Sequence, residues 1–184
     1  MNYSKLLFCI LILVPVLSGA EKKLSDNSSF LLSKRKAGHI EIEMTIDALY
    51  IRYNRDSTKL VDLYLEGTFS PALEIYIKGA RAENKPSLVA EIGWQNDWIV
   101  SRIKVYDERF KTDKGIGIGL TLGDMRKFYT VDWIAFGEGG LVARVEAIGI
   151  SFMLDIEKIP GEWSKTRDQQ LIPDSAKIVS ALIT

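Results

Sequence analysis

The sequence predicts an α+β fold made of two related units, each a short helix followed by antiparallel strands, with the helices packed on one sheet face. Three observations carry this expectation. Gly38-His39-Ile40-Glu41-Ile42-Glu43-Met44-Thr45-Ile46 runs in step with Gly115-Ile116-Gly117-Ile118-Gly119-Leu120-Thr121-Leu122 once one residue is dropped, and Ile99-Val100-Ser101 returns as Ile178-Val179-Ser180. Two echoes in the same order indicate a repeated structural unit. Thr45 and Thr121 stand where helix N-caps belong, each ahead of apolar residues at helical spacing. Behind each helix come alternating, β-branched runs bounded by Gly and Pro, the pattern of hairpin-connected strands that carry helices on one face.

Taken in chain order, the first element is a leader. Met1 to Lys5 carry one positive charge, Leu6 to Leu17 are almost wholly apolar, and Ser18-Gly19-Ala20 offers the small residues that signal peptidase reads. Residues 1–20 are therefore expected to be a signal peptide cleaved after Ala20, leaving a secreted or periplasmic protein. The apolar run is shorter than the roughly 20 residues a membrane-crossing helix needs and contains Pro15, so no membrane span is expected in the mature chain. Leu17-Ser18-Gly19 resembles a lipobox, but Ala20 occupies the place of the lipid-bearing cysteine, which argues against a lipoprotein. Residues 21–37 are polar, with a basic Lys34-Arg35-Lys36 cluster around Phe30-Leu31-Leu32, and read as a linker or loosely attached arm.

Residues 38–112 form the first expected unit and 113–184 the second, together one compact duplicated domain. Ile46, Leu49, Tyr50 and Tyr53 share a helix face in the first, as do Leu122, Met125, Phe128 and Tyr129 in the second. Thr121-Leu122-Gly123-Asp124 has capping-box spacing, with Asp124 placed to accept early backbone donors. Strands are expected over 60–66, 73–78, 87–94 and 98–107, then over 133–136, 141–147, 149–155 and 177–183. Gly67, Pro71, Gly79, Pro86, Gly137 to Gly140 and Pro160 read as turns between them.

Composition excludes several classes of function. The chain has 24 basic and 24 acidic residues. It therefore lacks the basic excess that nucleic-acid binding draws on, and no nucleic-acid partner is expected. Cys9, the single cysteine, lies in the leader, so the mature chain can form no disulfide, cysteine-type zinc site or thiol nucleophile. Stability must come from a core, which a chain of this length can bury. His39 is the single histidine and precedes the alternating Ile40-Glu41-Ile42. It reads as a strand-edge residue, with no serine near it in a nucleophile-elbow pattern.

The helix that follows Gly-x-hydrophobic-x-Gly-x-Thr resembles the motif opening SmpA/OmlA-type outer-membrane assembly lipoproteins. The tandem helix-plus-sheet layout resembles the β-lactamase inhibitor protein. The Gly-Ile-Gly-x-Gly-x-Thr-Leu-x-Asp segment is similar to one in uncharacterised secreted bacterial proteins. These resemblances imply a tandem helix-plus-sheet fold. The chain departs from the first family in its missing lipid-anchor cysteine and from the second in its missing disulfides.

Three groups of residues could carry chemistry. Gly115 to Gly119, leading into a helix, could expose backbone donors to an anion. The spacing fits neither a P-loop nor a dinucleotide fingerprint, and Glu41 and Glu43 at the matching places favour a strand kept bare for close backbone approach. Glu41 and Glu43 on one strand face, and Asp107 and Glu108 beside Arg109, are paired carboxylates whose alternation also suits a solvated strand. Trp94-Gln95-Asn96-Asp97-Trp98 sets two indoles about a polar turn. Trp94, Gln95, Asn96 and Trp98 could form a ligand or partner surface, or the tryptophans could pack as a cross-strand pair that closes the hairpin.

No catalytic residue, metal ligand or cofactor site is expected. The preferred reading is a non-enzymatic binding or interaction domain with an envelope protein or glycan as partner. An inhibitor of a cell-envelope enzyme, using Gly67 to Pro71 or Gly137 to Gly140, and a small carboxylate-dependent hydrolase are the alternatives.

Overall fold

A computed structural model describes residues 27–65, 67–80, 84–93, 98–137, 140–155 and 160–184. The expected leader, residues 1–20, lies outside this range. Asn27–Phe30 forms a 3₁₀ turn, followed by the short strands Leu31–Ser33 (β1), Lys36–Ala37 (β2) and Ile40–Glu41 (β3). With Lys111–Thr112 (β8) they make a four-stranded sheet in the order β3-β2-β1-β8, in which β1 runs parallel to β8. This corrects the reading of 21–37 as a linker for residues 27–37; residues 21–26 lie outside the described residues. Leu32 and Ala37 are buried, and the Phe30 ring meets Phe110 edge-on with centroids 5.1 Å apart. The apolar patch supplies core, and the polar residues around it face water on strands too short to show a period.

Two short helices start where threonine places them. In Ile46–Arg52 (α1) the Thr45 hydroxyl accepts from the Ala48 N–H at 3.3 Å, and Leu49 points into the core. In Leu122–Arg126 (α2) the Thr121 hydroxyl accepts from the Asp124 N–H at 3.2 Å. The Asp124 carboxylate in turn accepts from the Thr121 N–H at 3.2 Å and its hydroxyl at 2.8 Å. This reciprocal box satisfies backbone donors that a helix start otherwise leaves open. α2 is only five residues long, so Phe128 falls beyond its end and is 51% exposed, which corrects its placement on the buried face.

The remaining strands form one eight-stranded antiparallel sheet. They are Thr58–Leu65 (β4), Thr68–Ile75 (β5), Leu88–Gly93 (β6), Ile99–Val105 (β7), Trp133–Gly137 (β9), Gly140–Val145 (β10), Ile150–Leu154 (β11) and Ile178–Ile183 (β12). Their order is β4-β5-β6-β7-β12-β11-β10-β9. Each half contributes a four-stranded meander, and the halves join where their last strands pair, Ala181 with Val105 and Ile183 with Ile103. Pro71 lies inside β5 opposite Asp62 rather than in a turn. β6 begins pairing only at Ala72, so Pro71 sits where β5 has a neighbour on one side, a place that tolerates a missing N–H.

The two halves match bond for bond around the helix entries. The Glu43 N–H and Met44 carbonyl bond Val100, both at 2.8 Å, while the Gly119 N–H and Leu120 carbonyl bond Ile178 at 2.9 and 2.8 Å. Thr45 bridges Ile99 and Thr121 bridges Lys177. Glu43 and Gly119 both adopt left-handed backbone, with φ of 74° and 89°. Ile40 and Ile116, Ile42 and Ile118, and Leu49 and Met125 are buried in corresponding places. One continuous core results, shared by the helices, the small sheet and one face of the large sheet.

Candidate functional site

Alternation along each strand leaves the large sheet with a second face. Leu88 and Ala90 of β6, Ile103 and Val105 of β7, Phe152 of β11 and Ala143 of β10 point into the core. Their neighbours in sequence point the other way. The register lines these up across the sheet. Val89 faces Lys104, Lys104 faces Leu182, Leu182 faces Ser151, Ser151 faces Arg144, and Arg144 faces Trp133. The adjacent row runs Ser180, Met153, Val142, Ala135.

These rows enclose a hollow of about 280 Å³, lined among the described residues solely by strands β6, β7 and β9 to β12. No described helix or second sheet covers it. Its floor is made of short side chains: Ser180 is 4% exposed, Ser151 7% and Val142 9%. Their low exposure comes from the longer Met153, Leu182, Lys104 and Trp133 around them, and the Trp133 indole stands 43% exposed at the β9 side.

The charges at the hollow are mostly paired. Glu91 is held by Arg102, Nε to Oε2 at 2.5 Å, and Arg144 binds the Ser151 hydroxyl at 3.2 Å and Glu146 at 3.1 Å. Lys104 differs. Its ammonium rests 5.7 Å from the Tyr106 ring centroid and has no carboxylate partner among the described residues. Ser180, 4% exposed, forms no hydrogen bond with another of them, and its hydroxyl stays within reach of water. Among the described residues the lining holds one carboxylate, already ion-paired, and neither a histidine nor an activated nucleophile. Such a surface can bind, through apolar contact, an indole and one free cation, but it has no acid-base pair.

The sequence-predicted residues fall elsewhere. Trp94, Gln95 and Asn96 lie outside the described residues. Trp98 is 50% exposed, takes left-handed backbone with φ of 59°, and its carbonyl accepts from the Ile46 N–H at the start of α1. It does not line the hollow. Thr45, Thr121 and Asp124 are helix caps, as described above. The anion reading of Gly115 to Gly119 is overturned, because the Gly119 N–H bonds the Ile178 carbonyl and those of Leu122 and Gly123 bond the Ala176 and Asp174 carbonyls. A Cβ on Gly117 would stand 2.2 Å from the Phe110 carbonyl oxygen, so this glycine permits close backbone approach.

The carboxylate pairs also separate. β3 ends at Glu41, and Glu43 turns into left-handed backbone to meet Arg35 at 2.9 Å, so the two do not share a strand face. Burial pushes the Asp107 carboxyl up, but the Arg109 guanidinium and N–H, with the Ser87 hydroxyl, outweigh it and hold the group below its ordinary value. Arg109 also donates to the Lys78 and Ile77 carbonyls and stacks on Phe30, so the pair fastens loops to the core. His39 Nε2 lies 3.1 Å from Ser29 Oγ, a proximity the sequence did not indicate, but the pair lines none of the hollows described here. Among the described residues no group of three metal-ligating side chains forms. Gly67 to Pro71 is not a free loop, since β5 begins at Thr68.

A wider groove of about 940 Å³ lies beside α2, between Arg126 to Val131 and Arg167 to Gln170. Its cations are occupied: Arg126 by Asp174, Lys127 by Asp124, and Arg167 by the Trp163 and Phe136 rings. The hollow on the uncovered face has the more specific chemistry. Sequence reasoning missed it because β7 and β12, which flank it, lie more than seventy residues apart. Arg102 and Lys104 alternating along β7 read simply as a solvated strand face.

The chain matches no protein-family model and no curated protein. Among solved structures, the crystal structure of the uncharacterized protein YfeY from Escherichia coli is similar in fold. Its TM-score is 0.57 at 17% sequence identity, over 84% of this chain and 96% of that one. The likeness extends to the fold.

Proposed function

We propose that the chain is an exported, non-catalytic binding or interaction domain whose working surface is the uncovered face of the eight-stranded sheet. The observation that carries this reading is the hollow itself. It combines a mostly apolar lining over a floor of Ser180, Ser151 and Val142 with a half-exposed indole and an ammonium that has no carboxylate partner, and among the described residues it holds no acid-base pair. Apolar area left to water on such a face gains about 25 cal/mol per Å² when a partner covers it, and a tryptophan beside such a floor is a typical binding anchor. The leader pattern supports action outside the cytoplasm, where an envelope protein or a glycan is within reach.

The test is capture from cell-envelope extract with three baits: the parent, Lys104→Glu with Trp133→Ala, and Phe128→Ala as a control on the helix side. The proposal expects the parent and the control to retain the same partner and the face variant to lose it. Equal retention by all three would overturn it, and so would turnover of a glycosidase, peptidase or esterase substrate that one carboxylate substitution abolishes.

A further inference from the structure

We infer that the hollow takes an apolar monocarboxylate, with its carboxylate between Lys104 and Ser180 and its hydrocarbon crossing β12, β11 and β10 toward Trp133. The inference rests on the binding reading above and adds the chemistry of the ligand. Lys104 faces Leu182, so Ser180, two residues before Leu182, is its diagonal neighbour across the β7 and β12 pair, roughly 7–8 Å away on a regular sheet. The Tyr106 ring, one residue beyond the end of β7, lies 5.7 Å from the Lys104 ammonium. An ammonium without a carboxylate among the described residues and a water-accessible hydroxyl therefore lie at one corner of the hollow.

Each group has a hydrogen-bond donor to spare for a ligand. A carboxylate engages both: one oxygen accepts from Nζ and the other from the hydroxyl. A single cation without an acidic partner among the described lining residues suits a monoanion, whereas a phosphate dianion would leave charge unmatched. Arg102 does not compete, because Glu91 already holds it.

From this corner an apolar path crosses the hollow. Leu182, Met153 and Val142 lead across three strands to Ala135 and the Trp133 indole on β9. Four strand spacings of about 4.8 Å separate β7 from β9, roughly 19 Å, enough for an extended medium-length acyl or arylalkyl chain to lie across the strands. The volume of about 280 Å³ sits at the lower end of small-ligand sites, which limits the ligand to one short chain.

Octanoate and its neutral analogue 1-octanol, titrated into the ¹⁵N-labelled full-length mature protein and followed by amide shifts, test this. Octanoate should saturate shifts in β10, β11 and β12 and bind at least fivefold more tightly than octanol. Lys104→Met should weaken octanoate about tenfold and leave octanol within twofold, with Lys104→Gln behaving alike and both spectra otherwise native. Ser180→Ala should weaken octanoate severalfold. Equal affinity for acid and alcohol, shifts outside the uncovered face, or an octanoate affinity indifferent to Lys104 would overturn the inference. Binding of an acidic peptide without octanoate would do so too. If octanoate fails while the face variant still loses its envelope partner, this inference falls and the binding reading stands.

Discussion

Replacing Gly117 by alanine should be among the most damaging single-methyl changes in the protein. The added Cβ would lie 2.2 Å from the Phe110 carbonyl oxygen and 2.9 Å from the Lys111 Cδ. The lysine chain can swing away, but the carbonyl is backbone. Real Cβ contacts essentially never fall below 3.0 Å, so Phe110 would have to retreat by about 0.8 Å, the difference between 3.0 and 2.2 Å. Phe110 is fully buried, its N–H bonds the Asp107 carbonyl at 3.1 Å, and its ring packs on Phe30, so the shift passes into the core. Overpacking a tight site costs about 1–3 kcal/mol, and a clash with fixed backbone places this variant at the upper end, about 3 kcal/mol. For a domain of this size that lowers the Tm by roughly 6–12 °C. Gly161→Ala is the matched control, because nothing lies within 4 Å of its added Cβ and its backbone is not left-handed. It should be neutral or stabilise slightly. Urea unfolding of the two variants beside the parent decides the matter, and a Gly117→Ala midpoint indistinguishable from that of Gly161→Ala would refute the close-approach argument.

Three further outcomes follow from the same geometry. Thr121→Ala should cost about 1 kcal/mol through its lost cap, and Thr45→Ala less, because its single bond is long and exposed; unchanged urea midpoints in both would show that the caps carry no stability. The Lys127 ammonium, with the Thr121 hydroxyl and N–H, holds Asp124 down to about 2. A depressed carboxyl contributes stability that is present above its unfolded value near 4 and is lost as pH falls toward 2. An NMR titration should place the Asp124 midpoint near 2 in the parent and higher in Lys127→Ala, and an ordinary midpoint in the parent would contradict the box. Trp163 is fully buried, packs edge-on against Phe136 with centroids 5.0 Å apart, and leaves its Nε1 without a partner among the described residues. Trp163→Ala should cost about 3–5 kcal/mol. Trp163→Phe should cost much less because it removes an unsatisfied N–H, and equal losses in thermal melts would contradict this.

The parts of the fold that could be read from sequence are those with local grammar. Threonine three residues before an amide donor marks a helix start whatever surrounds it, and the alternation along β10 and β11 shows a strand with one buried face. The parts that escaped depend on partners distant in the chain. Leu31–Ser33 and Lys36–Ala37 are too short to show a period, and only their pairing with each other and with β8 makes them sheet. Pro71 reads as a turn unless it is known that β5 pairs with β6 only from Ala72 onward. Gly117 and Glu41 occupy matching places in the two halves, yet only Gly117 has the Phe110 backbone against it, so the halves differ there for a reason external to the repeat. The uncovered face is the extreme case. Its floor comes from Ser180, Ser151 and Val142, inside nearly continuous apolar runs in which an occasional hydroxyl carries no signal, and its cation comes from the other half of the chain.

The account depends on the uncovered sheet face being the surface that meets a partner. A photo-crosslinking residue placed at Leu182, in the middle of that face, and another at Phe128, on the helix side, would test this in cells that express the full chain. Both sites tolerate substitution without opening the core, since Leu182 is outside the buried cluster and Phe128 is half exposed. The account predicts a discrete crosslinked species from Leu182, lost when Lys104→Glu is added, and none from Phe128. Crosslinks from Phe128 alone, or a Leu182 product indifferent to Lys104, would contradict it.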